Sequence, residues 1–289
     1  MLTGFPPKVF VIGAQKCGTT TLAALLGGNP EICLAHPKEP NFYSVNFGKG
    51  HDWYKQCFTS PEKILVDAST TYSMIPLSSN TRFHKPDRNE LWLAPSRIAE
   101  EVGEAKLIYI VRDPVARTYS NYWHNVKYGY EKKSFLEAIQ SDPFYIEVGM
   151  YFKQLQHYLE NFKRENLLIL KFEDLVLNQQ DILNQCEAFI GVTQTELEQG
   201  SEQKNKGRKY NRLGNFLINN RKLRKADKYL PTVIKSFLQR SLSKGIPRLS
   251  DEDARRVSGY FAEDQKSLEA LIADQKKSLF TPDTTSRTC

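Results

Sequence analysis

The sequence lacks the cysteine patterns of a metal site or a disulfide framework. Its five cysteines are widely scattered, with no CxxC pair and no neighbouring histidine cluster: Cys17, Cys33, Cys57, Cys186 and Cys289. A structural zinc site is therefore not expected. Long apolar runs are also missing, since no stretch approaches the roughly 20 residues that span a bilayer. Because the first residues show no signal-peptide pattern either, the expectation is a cytoplasmic protein without a membrane span.

The composition shows neither disorder nor low complexity. The 289 residues are 40% hydrophobic and 25% charged, with 16 glycines and 14 prolines, which is the profile of a globular protein. The length is compatible with a single domain over residues 1–289. The net charge of +7 favours an anionic partner. Ten lysines and arginines and one acid lie within residues 204–228, so the excess is concentrated in one basic segment.

Apolar runs alternate with helical patterns along the chain. Strands are predicted at Lys8–Ile12, Ala105–Val111 and Leu167–Lys171, because each is short and rich in branched or aromatic residues. A helix is predicted at Thr19–Leu26, and another spans Val148 to Phe162. This alternation predicts an α/β fold, with a parallel sheet that is covered by helices on both faces.

Two polar stretches and the C-terminal region complete this prediction. Residues 78–95 and 200–211 are polar and contain turn-forming residues, which favours long surface loops. The region 250–280 has an apolar stripe at helical spacing and is predicted to be helical.

A glycine-rich segment joins the first strand to the first helix. It holds Gly13, Lys16 and Gly18, followed by three threonines, and such loops bind anions through backbone N–H groups and the helix dipole. An ordinary strand-to-helix turn capped by Thr19 is the alternative. A nucleoside-triphosphate loop would carry lysine at position 19, and no apolar strand ends in the aspartate of a magnesium site. The segment favours a phosphate ligand handled by lysine and hydroxyls without a metal.

Three motifs stand in register along the chain: Gln15–Thr20, Lys38–Tyr43, and Ile110–Pro114 together with Arg117, Ser120 and Tyr122. They resemble the sulfotransferase family. The likeness is closest to the heparan-sulfate-modifying enzymes and their bacterial relatives, where it includes the stretch Gly50–Tyr54. The resemblance covers most of residues 8–210.

The resemblance implies a P-loop-containing sulfotransferase that uses 3′-phosphoadenosine-5′-phosphosulfate and releases 3′-phosphoadenosine-5′-phosphate. It implies that Lys16 stabilises the leaving phosphate, as a fixed cation beside developing negative charge would. The residues that the resemblance implies for binding this nucleotide are Lys16, Cys17, Gly18, Thr19, Thr20, Thr21, Arg112, Ser120, Lys206, Gly207 and Arg208.

For the acceptor, the resemblance implies that Glu39 is the general base, with His36 as the competing residue. The expected acceptor is a hydroxyl, less readily an amine, of a soluble small metabolite, natural product or saccharide. Residues expected near it are His36, Lys38, Asp67, Tyr72, Trp123 and His124. Two other functions stay open: a P-loop kinase, and a non-catalytic nucleic-acid-binding protein suggested by the basic run at residues 221–225.

Overall fold

The computed structural model describes residues 3–79, 88–197, 208–210 and 243–280. Its centre is a five-stranded sheet formed by β1 Val9–Gly13, β2 Ile32–Leu34, β3 Ile64–Asp67, β4 Lys106–Val111 and β5 Leu167–Lys171. The strands lie in the order β2-β3-β1-β4-β5, and every neighbouring pair is parallel. The predicted α/β fold with a parallel sheet is therefore confirmed.

Helices flank this sheet. The described helices are α1 Thr19–Leu26, α2 Gly50–Lys55, α3 Arg88–Trp92, α4 Ala94–Val102, α5 Pro114–Lys127, α6 Phe135–Ser141, α7 Phe144–Glu147, α8 Tyr151–Leu159, α9 Phe172–Leu177, α10 Gln179–Ile190, α11 Asp251–Ser258 and α12 Ala262–Phe280. Helices α1 and α10 pack against each other and against strands of the sheet, while α8 packs against α12, which also contacts β5. None of these helices is long and apolar enough to cross a membrane.

The strand order determines which loops meet. Strand β1 is fully buried and lies between β3 and β4. After β1 the chain forms β2 and β3 on one side of this strand, and it then crosses to form β4 and β5 on the other side. In open parallel sheets, ligands bind at the carboxyl ends of the strands where the order reverses in this way. The loops that follow β1 and β4 therefore lie side by side, and they carry Lys16 and Arg112.

Two local predictions need correction. Residues 78–95 do not form one long loop, because α3 and the start of α4 lie within this range. Pro95 is tolerated in the first turn of α4, and the buried Leu91, Ala94 and Ile98 provide an apolar face. The helix expected from Val148 to Phe162 is shorter and is preceded by the separate α7.

Much of the second predicted loop lies outside the described residues, as does most of the basic segment 204–228. Arg208–Tyr210 forms a strand, β6, which pairs antiparallel with β7 at Ser243–Gly245. The helical prediction for residues 250–280 is confirmed by α11 and α12.

A second, smaller apolar core anchors helix α5. The helix contributes Val115 and Tyr122, and the other buried members come from α6, α7, α11 and the short turn that follows α11: Phe135, Ala138, Ile139, Tyr145, Ile146, Val257 and Phe261. Packing of this kind fixes the rotation of the helix about its axis. It thereby fixes the direction in which the remaining faces of α5 present Arg117, Ser120 and His124.

Candidate active site

Backbone hydrogen bonds, one within the loop and one to β4, fix the conformation of the loop after β1. The N–H of Ala14 donates to the carbonyl of Ile110 at 2.9 Å, and the N–H of Cys17 donates to the carbonyl of Ala14 at 3.2 Å. Lys16 and Gly18 have φ values of 69° and 91°, in the left-handed region. A loop with this curvature leaves N–H groups at the start of α1 pointing out of the backbone, which is the arrangement that binds anions.

Gly18, and not Thr19, is the N-cap of α1, and no side chain caps this helix end. Glycine is required here for two reasons. Its φ is left-handed, and a Cβ at residue 18 would lie 2.8 Å from Cδ2 of Phe172. The alternative, a turn capped by Thr19, is therefore wrong, since Thr19 is already the first residue inside the helix.

Lys16 faces a histidine from a distant part of the chain. Its Nζ lies 3.4 Å from Nδ1 of His124, which is on α5. Burial, followed by the charges of Lys16 and Lys127, lowers the pKa of His124 to about 4. His124 is therefore neutral near pH 7, and in the tautomer with Nδ1 unprotonated it can accept a hydrogen bond from the Lys16 ammonium.

Arg112 ties the loop after β4 to the loop after β1. Its Nη1 donates to the carbonyl of Lys16 at 3.3 Å, and its guanidinium lies 4.6 Å from the ring centre of Phe172. Phe172 was not singled out by the sequence analysis, although its position directly after β5 could have indicated it. It supports both Arg112 and the close approach of Gly18.

Positive charge accumulates at this point of the fold. The pKa of Lys16 is lowered, first by burial and then by the charges of Lys127, Arg112 and Arg117. Within the described part of the chain, Lys16, Arg112 and Arg117 form no ion pair with a carboxylate. Cations assembled without acidic partners form an electrostatic site for an anion.

The neighbouring cavity of about 650 Å³ is less suited to an anion. Arg112 and Lys171 border it, but so do four carboxylate residues, Asp113, Glu173, Asp174 and Glu269. The acids outnumber the bases, so the loop beside Lys16 is a better candidate for an anion site than this cavity.

The remaining predicted nucleotide contacts differ in their accessibility. Thr20 is exposed, Thr21 and Ser120 are half-buried, and Thr19 is buried. The thiol of Cys17 is fully buried, lies 3.4 Å from the hydroxyl of Tyr151 and has a pKa raised by burial to about 11. The Cys17 side chain is therefore not available to a ligand, and only its backbone can take part. Lys206 and Gly207 lie outside the described residues, and only the backbone of Arg208 is described.

Glu39 lies in a loop that strong local hydrogen bonds hold in place. Its φ of 65° is left-handed, and its carbonyl accepts a hydrogen bond from Nδ2 of Asn41 at 2.8 Å. Its carboxylate forms an ion pair with Lys38 at 2.7 Å, and 35% of the side chain is exposed. The carboxylate is thus fixed and still open to an incoming molecule, as a general base must be.

Asp67 supports this loop from below. Its Oδ1 accepts from Ser69 Oγ at 2.6 Å, and Ser69 Oγ accepts from the N–H of Asn41 at 2.9 Å. Its Oδ2 accepts from the hydroxyls of Tyr54 and Tyr72 at 2.7 and 2.6 Å. Burial raises the pKa of Asp67 to about 6, against the effect of these hydrogen bonds.

This network corrects the sequence-based placement of two residues. Asp67 and Tyr72 were expected beside the acceptor, but both are fully buried and hydrogen-bonded to each other. They position the Glu39 loop and do not reach its surface. Trp123 makes edge contacts with Tyr119 and Tyr122 against the second core, while His36 is exposed at the beginning of the Glu39 loop.

No group of three or more histidine, cysteine, aspartate or glutamate residues in the described part of the chain could hold a metal ion.

Residues 6–260 match the family model of the sulfotransferase domain. Since this match covers most of the chain, the chain belongs to the sulfotransferase family, a family of enzymes, as the motifs predicted.

Similar proteins agree with this assignment. The bifunctional heparan sulfate N-deacetylase/N-sulfotransferase 3 of Mus musculus is 31% identical over 207 aligned residues, and the match covers 65% of this chain and 22% of that protein. The heparan sulfate glucosamine 3-O-sulfotransferase 3B1 of Homo sapiens is 28% identical over 199 residues, covering 64% of this chain and 46% of that protein. The chain therefore spans less than half the length of these two relatives.

Among solved structures, a sulfotransferase from Alicyclobacillus acidocaldarius is 23% identical, with a TM-score of 0.62. The similarity covers 92% of this chain and 96% of that one, and it indicates a shared fold.

Proposed function

We propose that this protein transfers a sulfuryl group from 3′-phosphoadenosine-5′-phosphosulfate to a hydroxyl, less readily an amine, of a soluble small molecule or saccharide. The observation that carries the proposal is the convergence of Lys16 and Arg112 on one glycine-bearing loop, without an acidic partner among the described residues. A nucleotide with phosphates and a sulfate has the charge and shape that such a loop accepts.

The residues of the loop fit this nucleotide. When bound, it supplies a sulfuryl group attached to a phosphate leaving group. The uncapped start of α1 offers N–H groups, and Lys16 offers an ammonium oriented by His124 Nδ1. An ammonium fixed in advance stabilises negative charge that develops during transfer more than it stabilises the starting state. Arg112 and the half-buried Ser120 are assigned to the remaining phosphate.

Glu39 is assigned the proton of the acceptor. Its carboxylate is partly exposed and is held by Lys38, so that it presents an oxygen to solvent in a defined position. A carboxylate in hydrogen-bond reach of an acceptor hydroxyl takes its proton as the oxygen attacks. The exposed His36, at the start of the same loop, makes no such fixed contact with a described side chain.

The acceptor is proposed to be small or saccharide-like. The heparan sulfate relatives are named as enzymes that act on a saccharide, which supports a hydroxyl- or amine-bearing sugar as one acceptor class.

The test is a transfer assay with labelled phosphosulfate donor and a panel of soluble sugars, phenols, alcohols and amines. Transfer to at least one acceptor is expected, without a requirement for added Mg²⁺. Lys16→Met is expected to lose about 10²-fold or more of the turnover, whereas Lys163→Met, at an exposed surface lysine, serves as the matched control.

A thermal-shift experiment separates this function from a P-loop kinase. The product bisphosphate nucleotide is expected to raise the Tm, since it binds the folded state, and ATP with Mg²⁺ is not. Turnover of ATP, or stabilisation by ATP alone, would contradict the proposed function.

A further inference from the structure

Arg117 is a buried charge with an incomplete set of partners. Its side chain has no exposed surface, although arginine is almost never fully buried without a counterion. Nη2 donates to the carbonyl of Tyr145 and to Oγ1 of Thr118. Nε and Nη1 have no hydrogen-bond partner among the described residues, and no described carboxylate forms an ion pair with this guanidinium.

The groups around Arg117 do not compensate its charge. Its electrostatic neighbours include Cys17, Tyr109 and Tyr151. Burial raises the pKa of the Cys17 thiol to about 11 and raises the pKa of both tyrosines, so all three side chains are neutral near pH 7. Arg117 lies two helical turns before His124 on α5, on the same side of the helix as the residue that contacts Lys16. Its positive charge therefore acts on Lys16, whose pKa it helps to lower, and on Arg112.

Packing alone does not explain the arginine. The carbonyl of Tyr145 also accepts a hydrogen bond from Oγ1 of Thr118 at 3.1 Å, so it would keep a partner without the guanidinium. Burying a charge without a counterion costs free energy, and even a paired set of buried charges can often be replaced by apolar residues of similar volume without loss of stability. A residue that is costly to bury, and that the local structure does not need, is a candidate for a functional charge.

We propose that Arg117 is a fixed interior cation beneath the loop, which strengthens anion binding at Lys16 and Arg112 without touching the ligand. This inference rests on the proposed function for the identity of the anion. Arg117 thus acts on the ligand only indirectly, through the electric field that it adds at Lys16 and Arg112. Its role differs from those of Lys16 and Arg112, because its side chain is closed off from solvent.

The first experiment compares Arg117→Met and Arg117→Gln, which remove the charge, with Arg117→Lys, which keeps it. Gln also keeps an N–H donor for the Tyr145 carbonyl, should Met prevent folding. For the neutral variants, we expect the Kd for 3′-phosphoadenosine-5′-phosphate to rise about tenfold while the Tm of the free protein is unchanged or higher. Arg117→Lys is expected to stay within about threefold of the wild type.

Arg164→Met is the matched control. Arg164 is partly buried, whereas Arg117 is fully buried, and it donates to the carbonyls of Leu167 and Leu271 and to Oε1 of Gln275, away from the loop. This variant is expected to lose stability with an unchanged Kd. The inference is overturned if the folded neutral Arg117 variants behave like Arg164→Met.

A second measurement does not depend on the nucleotide. The labelling rate of Lys16 by an amine-specific reagent is followed against pH by peptide mass spectrometry. Since Arg117 contributes to lowering the pKa of Lys16, its neutralisation is expected to shift the onset of labelling to higher pH.

These two measurements separate the inference from the proposed function. If the wild type fails to bind the bisphosphate nucleotide, the proposed function falls, and the Lys16 titration still decides the role of Arg117. In that case, an unchanged Lys16 titration in the neutral Arg117 variants overturns the inference.

Discussion

The Nζ of Lys16 lies 3.4 Å from Nδ1 of His124, although 108 positions separate the two residues in the chain. One comes from the loop after β1 and the other from the helix after β4. The contact requires a neutral imidazole, because a protonated Nδ1 would present a hydrogen to an ammonium. The structure provides this condition by burying His124 beside two lysines.

The first prediction concerns the pH dependence of stability. Unfolded His124 takes up a proton near pH 6.5, whereas folded His124 does so only near pH 4. The unfolded state thus binds more protons between these values, and the free energy of unfolding falls as the pH is lowered through this range. In urea denaturation at a series of pH values, the His124→Gln variant is expected to lose the part of this fall that His124 contributes. The control His36→Gln, at an exposed histidine, is expected to keep it.

A second prediction concerns Glu39. Glu39→Gln is expected to lower turnover by about 10²- to 10⁴-fold, because the amide cannot accept the acceptor's proton. The Kd for the product nucleotide should stay unchanged, since the backbone hydrogen bonds of the loop do not involve the carboxylate. Glu165→Gln, at an exposed glutamate, is the control. Wild-type turnover of Glu39→Gln would remove Glu39 from the mechanism and return attention to His36.

A third prediction uses two glycines with nearly the same backbone. Gly18 and Gly191 have φ values of 91° and 89°, but a Cβ at residue 18 meets Phe172 at 2.8 Å, whereas one at residue 191 meets nothing within 4 Å. Gly191→Ala should cost about 1–2 kcal/mol from the left-handed backbone alone. Gly18→Ala should cost about 1–3 kcal/mol more and weaken nucleotide binding.

The double variant Gly18→Ala with Phe172→Leu isolates the steric part of this difference. It should recover part of the lost stability, as measured by urea denaturation, because the smaller side chain makes room for the Cβ. Equal losses in Gly18→Ala and Gly191→Ala would show that the approach of Phe172 does not matter.

A fourth prediction has the opposite sign to the first. Burial raises the pKa of Asp67 from 3.8 to about 6, so the folded state binds more protons than the unfolded state between these values. The stabilisation that this proton provides is complete below pH 3.8 and is lost as the pH rises through 6. The free energy of unfolding of the wild type, relative to that of Asp67→Asn, should therefore decrease as the pH rises from 3.8 through 6. A difference that is flat with pH would contradict the raised pKa.

The strand–loop–helix unit around Lys16 could be predicted from the sequence, because glycine spacing and apolar runs are local signals. The same holds for β4, where Arg112-Asp113-Pro114 marks the end of the strand and the start of a helix. Helices α3 and α4 were missed, since proline and polar residues in residues 78–95 outweighed a short apolar face.

Contacts between distant residues could not be predicted in the same way. The pairing of Lys16 with His124 depends on β1 and β4 being neighbours, which no local pattern encodes. The burial of Asp67 depends on hydroxyl groups from Tyr54, Ser69 and Tyr72 meeting at one carboxylate. Asp67 and Tyr72 could be picked out from the sequence, but no local pattern shows that they lie beneath the surface.

The strand order has a consequence for protein engineering. The loops proposed to bind the nucleotide follow β1 and β4. The Glu39 loop and the Asp67 that supports it follow β2 and end β3, which both lie on one side of β1. The boundary between β3 and β1 is therefore a place for grafting. Under the proposed function, a chimera that takes residues 32–75 from a relative is expected to change the acceptor preference and to retain the host's nucleotide affinity.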